Sequence, residues 1–361
     1  MANIPKRVAL VYDRANKWGG AEQVLLSLHA LFPTAPLFTS VYDPGPAVWA
    51  KVFPEVIPTF LQNFPLASSH HELYLWATPL AFESLDFSDF DAVISITSAD
   101  AKGIITRPET FHLCYCLTPT RYLWSHPAVP WPLSRYLKSW DQVASARPDA
   151  YVAISQTVQD RLTHYYNRPC HVVYPPVDIK KYETNSPVQK TDDYFLWVGR
   201  LVYHKQPDLL VKIFNDLNLP LIMVGTGRLD RSLRQLARPN ITFTGHITDP
   251  ELIQLYHQAN AYVSVHEEDF GMSYVEAQAC GIPVIAINRG GVRESVTNHK
   301  TGLLVDSLAQ FKTAITNFDR NKFDPRFIIS SSQRFSKSHF ISEFAKVFTQ
   351  EWTKYKSTST F

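Results

Sequence analysis

Residues His266–Gly291 read HEEDFGMSYVEAQACGIPVIAINRGG, and they spell a turn, a helix and a strand. Just before them the apolar run Tyr262-Val263-Ser264-Val265 alternates as a strand does and ends in the cluster His266-Glu267-Glu268-Asp269. Phe270-Gly271 makes the turn, and Met272–Cys280 has helical spacing. Gly281-Ile282-Pro283 stops that helix, and Val284–Ile287 resumes as a buried strand. Glu268 then stands at a strand end, and Glu276 follows eight residues later inside the helix. A helix opening directly after a strand offers free backbone N–H groups and the positive end of its dipole, which suits a phosphate or sugar hydroxyls. Gly271 removes a side chain where a ligand must come close to the backbone. Glu276 can accept two hydrogen bonds from a vicinal diol such as a ribose. The plain alternative is an ordinary crossover with solvated acids, because acids also favour helix starts.

Around this unit the composition sets bounds. A chain of 361 residues has room for two domains of ordinary size. Hydrophobic residues at 45% against 19% charged indicate a well-cored globular protein and exclude a disordered one. A formal net charge of +2 gives no concentrated basic face, so nucleic acid is not expected as a partner. The four cysteines show no metal-ligand spacing. Cys114 and Cys116 flank Tyr115 on one strand face as small core residues, a usage that fits a reducing cytoplasm. The apolar part of MANIPKRVALVYDR is too short for a signal peptide, and no run reaches the roughly 18 residues of a spanning helix. The expected location is cytoplasmic. Nine of 13 glycines follow residue 198, most of them directly after apolar runs, whereas six of eight tryptophans lie in the first 140 residues. The two halves have different tasks.

Read in order, Arg7–Tyr12 is a continuous apolar run of the central-strand kind. Gly19-Gly20-Ala21-Glu22 then opens a helix with Val24, Leu25, Leu28 and Phe32 on one face. Further strands are expected at Leu37–Val41, Ala92–Thr97, Phe111–Leu117, Tyr151–Ile154 and His171–Tyr174, and a helix over the latter part of Ala153–Tyr166. Such alternation implies a parallel sheet. The aromatics of Ser68–Asp91 read as core. Trp124–Arg147 mixes Trp124, Trp131, Tyr136 and Trp140 with Arg135, Lys138 and Arg147, either a plain helical layer or a surface for a sugar or an anionic membrane. Lys180–Asp193 is polar and aperiodic, the best linker, which places a boundary near residues 176–192. Strands follow at Tyr194–Val198, Leu221–Val224, Ile241–Thr244, Ala261–Val265, Val284–Ile287 and Leu303–Val305, with Asp249-Pro250-Glu251 as the cap, first-turn proline and first-turn acid of a helix. The last helix, about Ser336–Lys356, is amphipathic. The fold class is α/β with two doubly wound parallel sheets.

Chemistry gathers in the second half. Gly199-Arg200 follows one strand, and Lys205 lies five residues on; a fork-shaped guanidinium and a point charge there suit a diphosphate. Two solvated surface cations are the bland reading. Gly225-Thr226-Gly227 and Thr244-Gly245-His246-Ile247 follow the next strands, with backbone roles favoured over the His246 side chain.

The spacing Glu268-x7-Glu276 within EDFGMSYVEAQACGIPV resembles the paired-glutamate signature of retaining glycosyltransferases of family 4, which have the GT-B fold. The likeness is greatest to the bacterial O-antigen mannosyltransferases, through GGAE at Gly19–Glu22, Ala101-Lys102-Gly103, CYCLTPTRYLW at Cys114–Trp124, VVYPPVD at Val172–Asp178 and HEEDFG. The resemblance implies an acceptor-binding domain over residues 1–178, a nucleotide-sugar domain over 179–335 that faces it across a cleft, and a helix at 336–361 crossing back to the first. It implies metal-independent transfer, needing no cofactor, from GDP-mannose to a glycan or lipid-linked glycan, with peripheral contact at the inner face of the membrane. Arg200, Lys205 and Glu268 are implied as catalytic. Gly19, Gly20, Gly199, Gly225, Gly245, His246, Ile247, Asp269, Phe270, Gly271, Met272 and Glu276 are implied to bind the donor. Lys102, Leu117, Thr118, Arg121 and Tyr122 are implied to line the acceptor or sugar pocket. Relatives usually carry histidine at Leu117 and commonly at Ser98. An apolar Leu117 suits a donor lacking a polar C6 group, such as a pentose or deoxysugar, or else reduced or lost activity, as in a nucleotide-sugar-binding pseudoenzyme; a UDP-sugar donor is a separate alternative. An NAD-dependent enzyme is disfavoured, since no G-x-G-x-x-G follows Val8–Asp13.

Overall fold

The computed structural model describes residues 5–125, 127, 129–182 and 193–358. The chain divides into one unit of Met1–Pro176 with Phe340–Phe361 and a second of Val177–His339.

The first unit is built on seven strands: β1 (Val8–Tyr12), β2 (Leu37–Thr39), β3 (Val56–Pro58), β4 (Ala92–Thr97), β5 (Phe111–Cys116), β6 (Ala150–Ala153) and β7 (His171–Val172). They pair in parallel in the order β3-β2-β1-β4-β5-β6-β7. Strands β1, β4 and β5 are buried at every position, as continuous apolar runs in a doubly covered sheet should be. Strand β3 has no counterpart in the sequence reading. It is three residues long, ends in Pro58 and lies at the edge, where a missing N–H costs nothing. The helices of this unit are α1 (Gly20–Leu31), α2 (Thr78–Glu83), α3 (Leu133–Ala144) and α4 (Gln156–Tyr166), the last capped by Ser155 Oγ on the Val158 amide. Of the Ser68–Asp91 aromatics, Phe82 and Phe87 enter the core, whereas Trp76 is 54% exposed.

The second unit has six parallel strands, β8 (Phe195–Val198), β9 (Leu221–Val224), β10 (Ile241–Gly245), β11 (Ala261–Ser264), β12 (Val284–Ile287) and β13 (Gly302–Val305), in the order β10-β9-β8-β11-β12-β13. Around them lie α5 (Pro207–Leu217), α6 (Asp230–Leu236), α7 (Asp249–Gln258), α8 (Met272–Ala279), α9 (Val292–Ser295), α10 (Leu308–Thr316) and α11 (Pro325–Ser332). One core cluster joins Trp197, Leu210, Phe214, Met223, Val263, Ile285 and Phe311. The cap of α7 is one residue earlier than expected: Thr248 and Glu251 form a reciprocal capping box, leaving Asp249 inside the first turn.

Part of the expected linker lies outside the described residues, which resume at Asp193. Its beginning is packed: Ile179–Tyr182 is a short helical turn, with Tyr182 buried against Tyr256 at 5.9 Å between ring centroids. The long α12 (Lys337–Thr358) supplies the first unit with Phe340, Phe344, Phe348 and Trp352. These rings meet Tyr115 and Phe111 at centroid distances of 5.8 to 6.0 Å. In each sheet the strand order reverses direction at one place, between β1 and β4 and between β8 and β11, and ligand crevices of doubly wound sheets form at the carboxyl ends there.

Candidate functional site

In the second unit the strand ends are drawn unusually close. The Gly199 amide donates to Val224 O at 3.0 Å, and the Gly225 amide to Gly245 O at 2.9 Å. Gly225 has φ +129°, and a Cβ there would sit 2.0 Å from Gly199 O, so only glycine fits. Arg200 lies exposed just past this junction, and among the described residues its guanidinium makes no ion pair. His246 is exposed and Ile247 half-buried, so at this edge the backbone is the dependable feature.

Lys205 closes a short turn, Tyr203–Lys205, and reaches Glu268, its Nζ 2.5 Å from Oε1. Strand β11 stops at Ser264, four residues earlier than a strand-end placement of Glu268 requires. Glu268 is instead pinned by a bridge to Gly290, whose neighbour Gly291 donates its amide to Glu268 O at 2.8 Å. The same Oε1 accepts from His266 Nε2 at 2.7 Å. Burial alone would raise the pKa of Glu268; Lys205 and then His266 outweigh it and hold the carboxyl well below the usual range. Glu268 is thus an ionised, half-enclosed carboxylate.

Helix α8 starts at Met272 after Gly271, which has φ +87° and leaves no room for a Cβ against the Tyr274 ring. Among the described residues no side chain caps this start; the Tyr274 amide turns back to Gly271 O at 3.0 Å, and an uncapped helix start suits an anion at its remaining amides. Phe270 is buried against Phe335, and Asp269 is buried too. Glu276, one turn on, accepts from Tyr256 O–H at 2.9 Å. Burial pushes its pKa up, against hydrogen bonds from Tyr256 and Tyr182 and the charge of Lys181.

In the first unit the expected pocket residues divide. Leu117, Arg121 and Tyr122 are half-buried. Thr118 is 2% exposed, and among the described residues its hydroxyl has no hydrogen-bond partner. Lys102, expected to face a sugar, is 1% exposed and committed inward: Nζ donates to Ala99 O at 2.5 Å, Thr120 Oγ1 at 2.9 Å and Asp141 Oδ1 at 2.5 Å. Asp141 also accepts from Thr120, Trp124 and Tyr166 at 2.6 to 2.7 Å. Burial would pull the Lys102 ammonium down, but Asp141 dominates and keeps it charged. Lys102 therefore holds the Thr118–Trp124 loop in place. Gly19 and Gly20 open α1, and Glu22 takes the Tyr12 hydroxyl at 2.6 Å.

Two carboxylates escaped the sequence reading. Asp13, 4% exposed, gathers the β4 exit by accepting from Thr97 Oγ1 at 2.7 Å and from the amides of Ser98, Asp100 and Ala101 at 2.7 to 3.0 Å. Asp141 carries a legible sign, since it lies on the buried stripe of α3 with Leu137 and Ala144. His266 lacks one, because its role depends on a loop path.

Comparison with known proteins matches residues 178–337 to the family described as Glycosyl transferases group 1, and residues 18–181 to Glycosyltransferase Family 4. A D-inositol 3-phosphate glycosyltransferase of Segniliparus rotundus is 29% identical over 207 residues, covering 50% of this chain and 46% of the relative. A GDP-mannose-dependent alpha-mannosyltransferase of Mycobacterium tuberculosis is 39% identical over 110 residues, covering 30% and 29%. The chain thus spans less than half the length of these curated relatives. Among solved structures, sucrose-phosphate synthase from Thermosynechococcus elongatus superposes with a TM-score of 0.76 at 16% identity, covering 96% of this chain and 99% of that one. Anabaena HepE in complex with UDP-glucose gives 0.73 at 18% identity, covering 95% and 99%.

Proposed function

We infer a reaction for this chain, which belongs to glycosyltransferase family 4 and has the paired Rossmann-like domains of the GT-B fold: transfer of a sugar from a nucleotide-sugar donor. In finer terms we propose that the sugar is mannose, carried by GDP and passed with retention and without a metal ion to a glycan or lipid-linked glycan during cell-surface polysaccharide synthesis. The observation that carries this is the meeting of Lys205 and Glu268 beside the uncapped start of α8, at the place where the second sheet reverses its strand order. Relatives named as GDP-mannose-dependent mannosyltransferases support the donor.

In this mechanism the bond from the anomeric carbon to the diphosphate breaks and its electron pair leaves with the phosphate oxygen. Arg200, Lys205 and the first-turn amides of α8 meet that growing charge. Lys205 exchanges Glu268 for a phosphate oxygen. The acceptor hydroxyl attacks from the face that the diphosphate vacates, and its proton passes to a phosphate oxygen. Glu268, already ionised, holds sugar hydroxyls together with the amides of Asp269, Phe270 and Gly271, while Glu276 holds the ribose. Leu117 favours a second reading, a donor without a polar C6 group, because it offers an apolar, half-buried surface. The first unit supports contact with an anionic membrane: on α3 and its approach, Trp131 is 76% exposed and Tyr136 48%, beside Arg135 and Lys138. Among the described residues no helix is long and apolar enough to cross a membrane.

A panel of GDP- and UDP-sugars, with the released nucleotide and the product anomer measured, tests the proposal. Preference for GDP-mannose with a retained anomer supports it. Preference for a deoxysugar or pentose moves the donor to the second reading, and tight nucleotide binding without turnover of any donor removes the enzyme.

A further inference from the structure

His266 is buried to within 2% of its side-chain surface, yet both ring nitrogens are engaged. Nε2 lies 2.7 Å from Glu268 Oε1, and Nδ1 lies 3.1 Å from Ser264 Oγ. Ser264 Oγ in turn lies 3.0 Å from the Tyr274 hydroxyl on α8. A buried imidazole fixed at both ends cannot rotate, so its Nε2–H is aimed permanently at one oxygen of Glu268. Lys205 is the other donor to that oxygen, and it is carried on a flexible four-carbon stem in a short turn with 18% of its side chain exposed.

We propose that His266 is a positioning residue: through the Tyr274–Ser264–His266 chain it holds Glu268 in place when Lys205 moves away to the donor's diphosphate. The inference rests on the reading of Glu268 given above. Lys205 cannot serve both anions at full strength. Without a second fixed donor, Glu268 would lose its orientation at the moment the sugar needs it. The oxygen that His266 and Lys205 leave unengaged, Oε2, is the one presented to sugar hydroxyls. The charged and titratable groups that bear on Glu268 are Lys205 and His266 by direct contact, with Tyr262 on β11 and Tyr274 on α8 more distant.

The experiment compares the full chain with His266→Phe, His266→Gln and Glu268→Gln, following nucleoside diphosphate release from GDP-mannose and from UDP-glucose. GDP affinity by calorimetry and circular dichroism serve as controls. His266→Phe should lower kcat roughly 10- to 100-fold, the worth of a hydrogen bond to a charged group, with GDP affinity unchanged. His266→Gln, which keeps an N–H near the same point, should recover most of the loss. The acid limb of the kcat/KM profile should move to higher pH in His266→Phe, a change that a merely structural role would not produce. Carbon-13 titration of the Glu268 carboxyl reads the same shift without needing turnover, so an unfavourable donor does not spare the proposal. If Glu268→Gln is as active as the parent, the reading of the site fails, and this inference with it. If Glu268→Gln is impaired but His266→Phe changes neither kcat nor the carboxyl titration, the positioning role alone is overturned.

Discussion

At the level of single residues, the two glutamates that the sequence marks by spacing prove to be opposites. Glu268 is held ionised by Lys205 and the His266 hydrogen bond, whereas Glu276 has its pKa raised by burial and leans on tyrosine hydroxyls. A diol-binding role for Glu276 predicts that Glu276→Ala weakens GDP binding roughly 10- to 100-fold, as loss of hydrogen bonds to a charged acceptor should, measurable by calorimetry. Arg200→Ala should leave that affinity nearly intact and depress kcat about 100-fold or more, if its charge acts on the leaving diphosphate. Lys102→Met should cost about 3–5 kcal/mol in denaturant unfolding, because it strands Asp141 inside the protein. Asp100 makes a pH prediction. Burial first, and then Asp13, push its carboxyl up to about 7, so the fold binds its proton more tightly than the unfolded chain does. Its contribution to stability is complete below the unfolded value of about 4 and is lost as pH rises through about 7. Asp100→Asn should therefore gain stability relative to the parent between pH 5 and pH 8, and equal differences at the two pH values would refute the assignment. Glu268 and Glu276 were legible in the sequence because a strand–turn–helix fixes their spacing. Asp13 and Lys102 were not, since their partners lie 84 to 88 and 39 residues away along the chain.

Among the elements, strands were the easiest to foresee. Strands β4, β9 and β12 occupy the expected Ala92–Thr97, Leu221–Val224 and Val284–Ile287, because continuous apolar runs between turn residues leave little choice of boundary. The edge strand β3 escaped notice because it has no alternation and carries a proline. The start of α7 shifted by one residue because Thr248, rather than Asp249, finds the reciprocal partner in Glu251. Thr248→Ala should cost about 1 kcal/mol of stability, which chemical denaturation would detect. The long α12 contributes far more. Phe344 is completely buried and lies 6.0 Å from Tyr115, ring to ring, so Phe344→Ala should cost about 3–5 kcal/mol in the same measurement.

For the whole molecule, donor binding should register first in the unit that holds the donor residues. GDP at 100 times its dissociation constant should stabilise the unit it binds by about 2.7 kcal/mol, and hydrogen exchange should slow around Gly199–Lys205 and Gly271–Glu276. Protection confined to the first unit would contradict the placement of the donor residues. The fold class could be read from alternating strands and helices, but that reading carries no account of which carboxylates are buried or what they hold. The first unit also has an unusual relation to its own synthesis. Its ring-bearing face around Phe111 and Tyr115 is closed by Phe340–Trp352, a segment made only after the intervening Val177–His339. During translation that greasy surface must wait, unsheltered, while an entire neighbouring unit is produced. The nascent chain is therefore a natural client for a holding chaperone, and truncated versions ending before residue 340 are candidates for inclusion bodies.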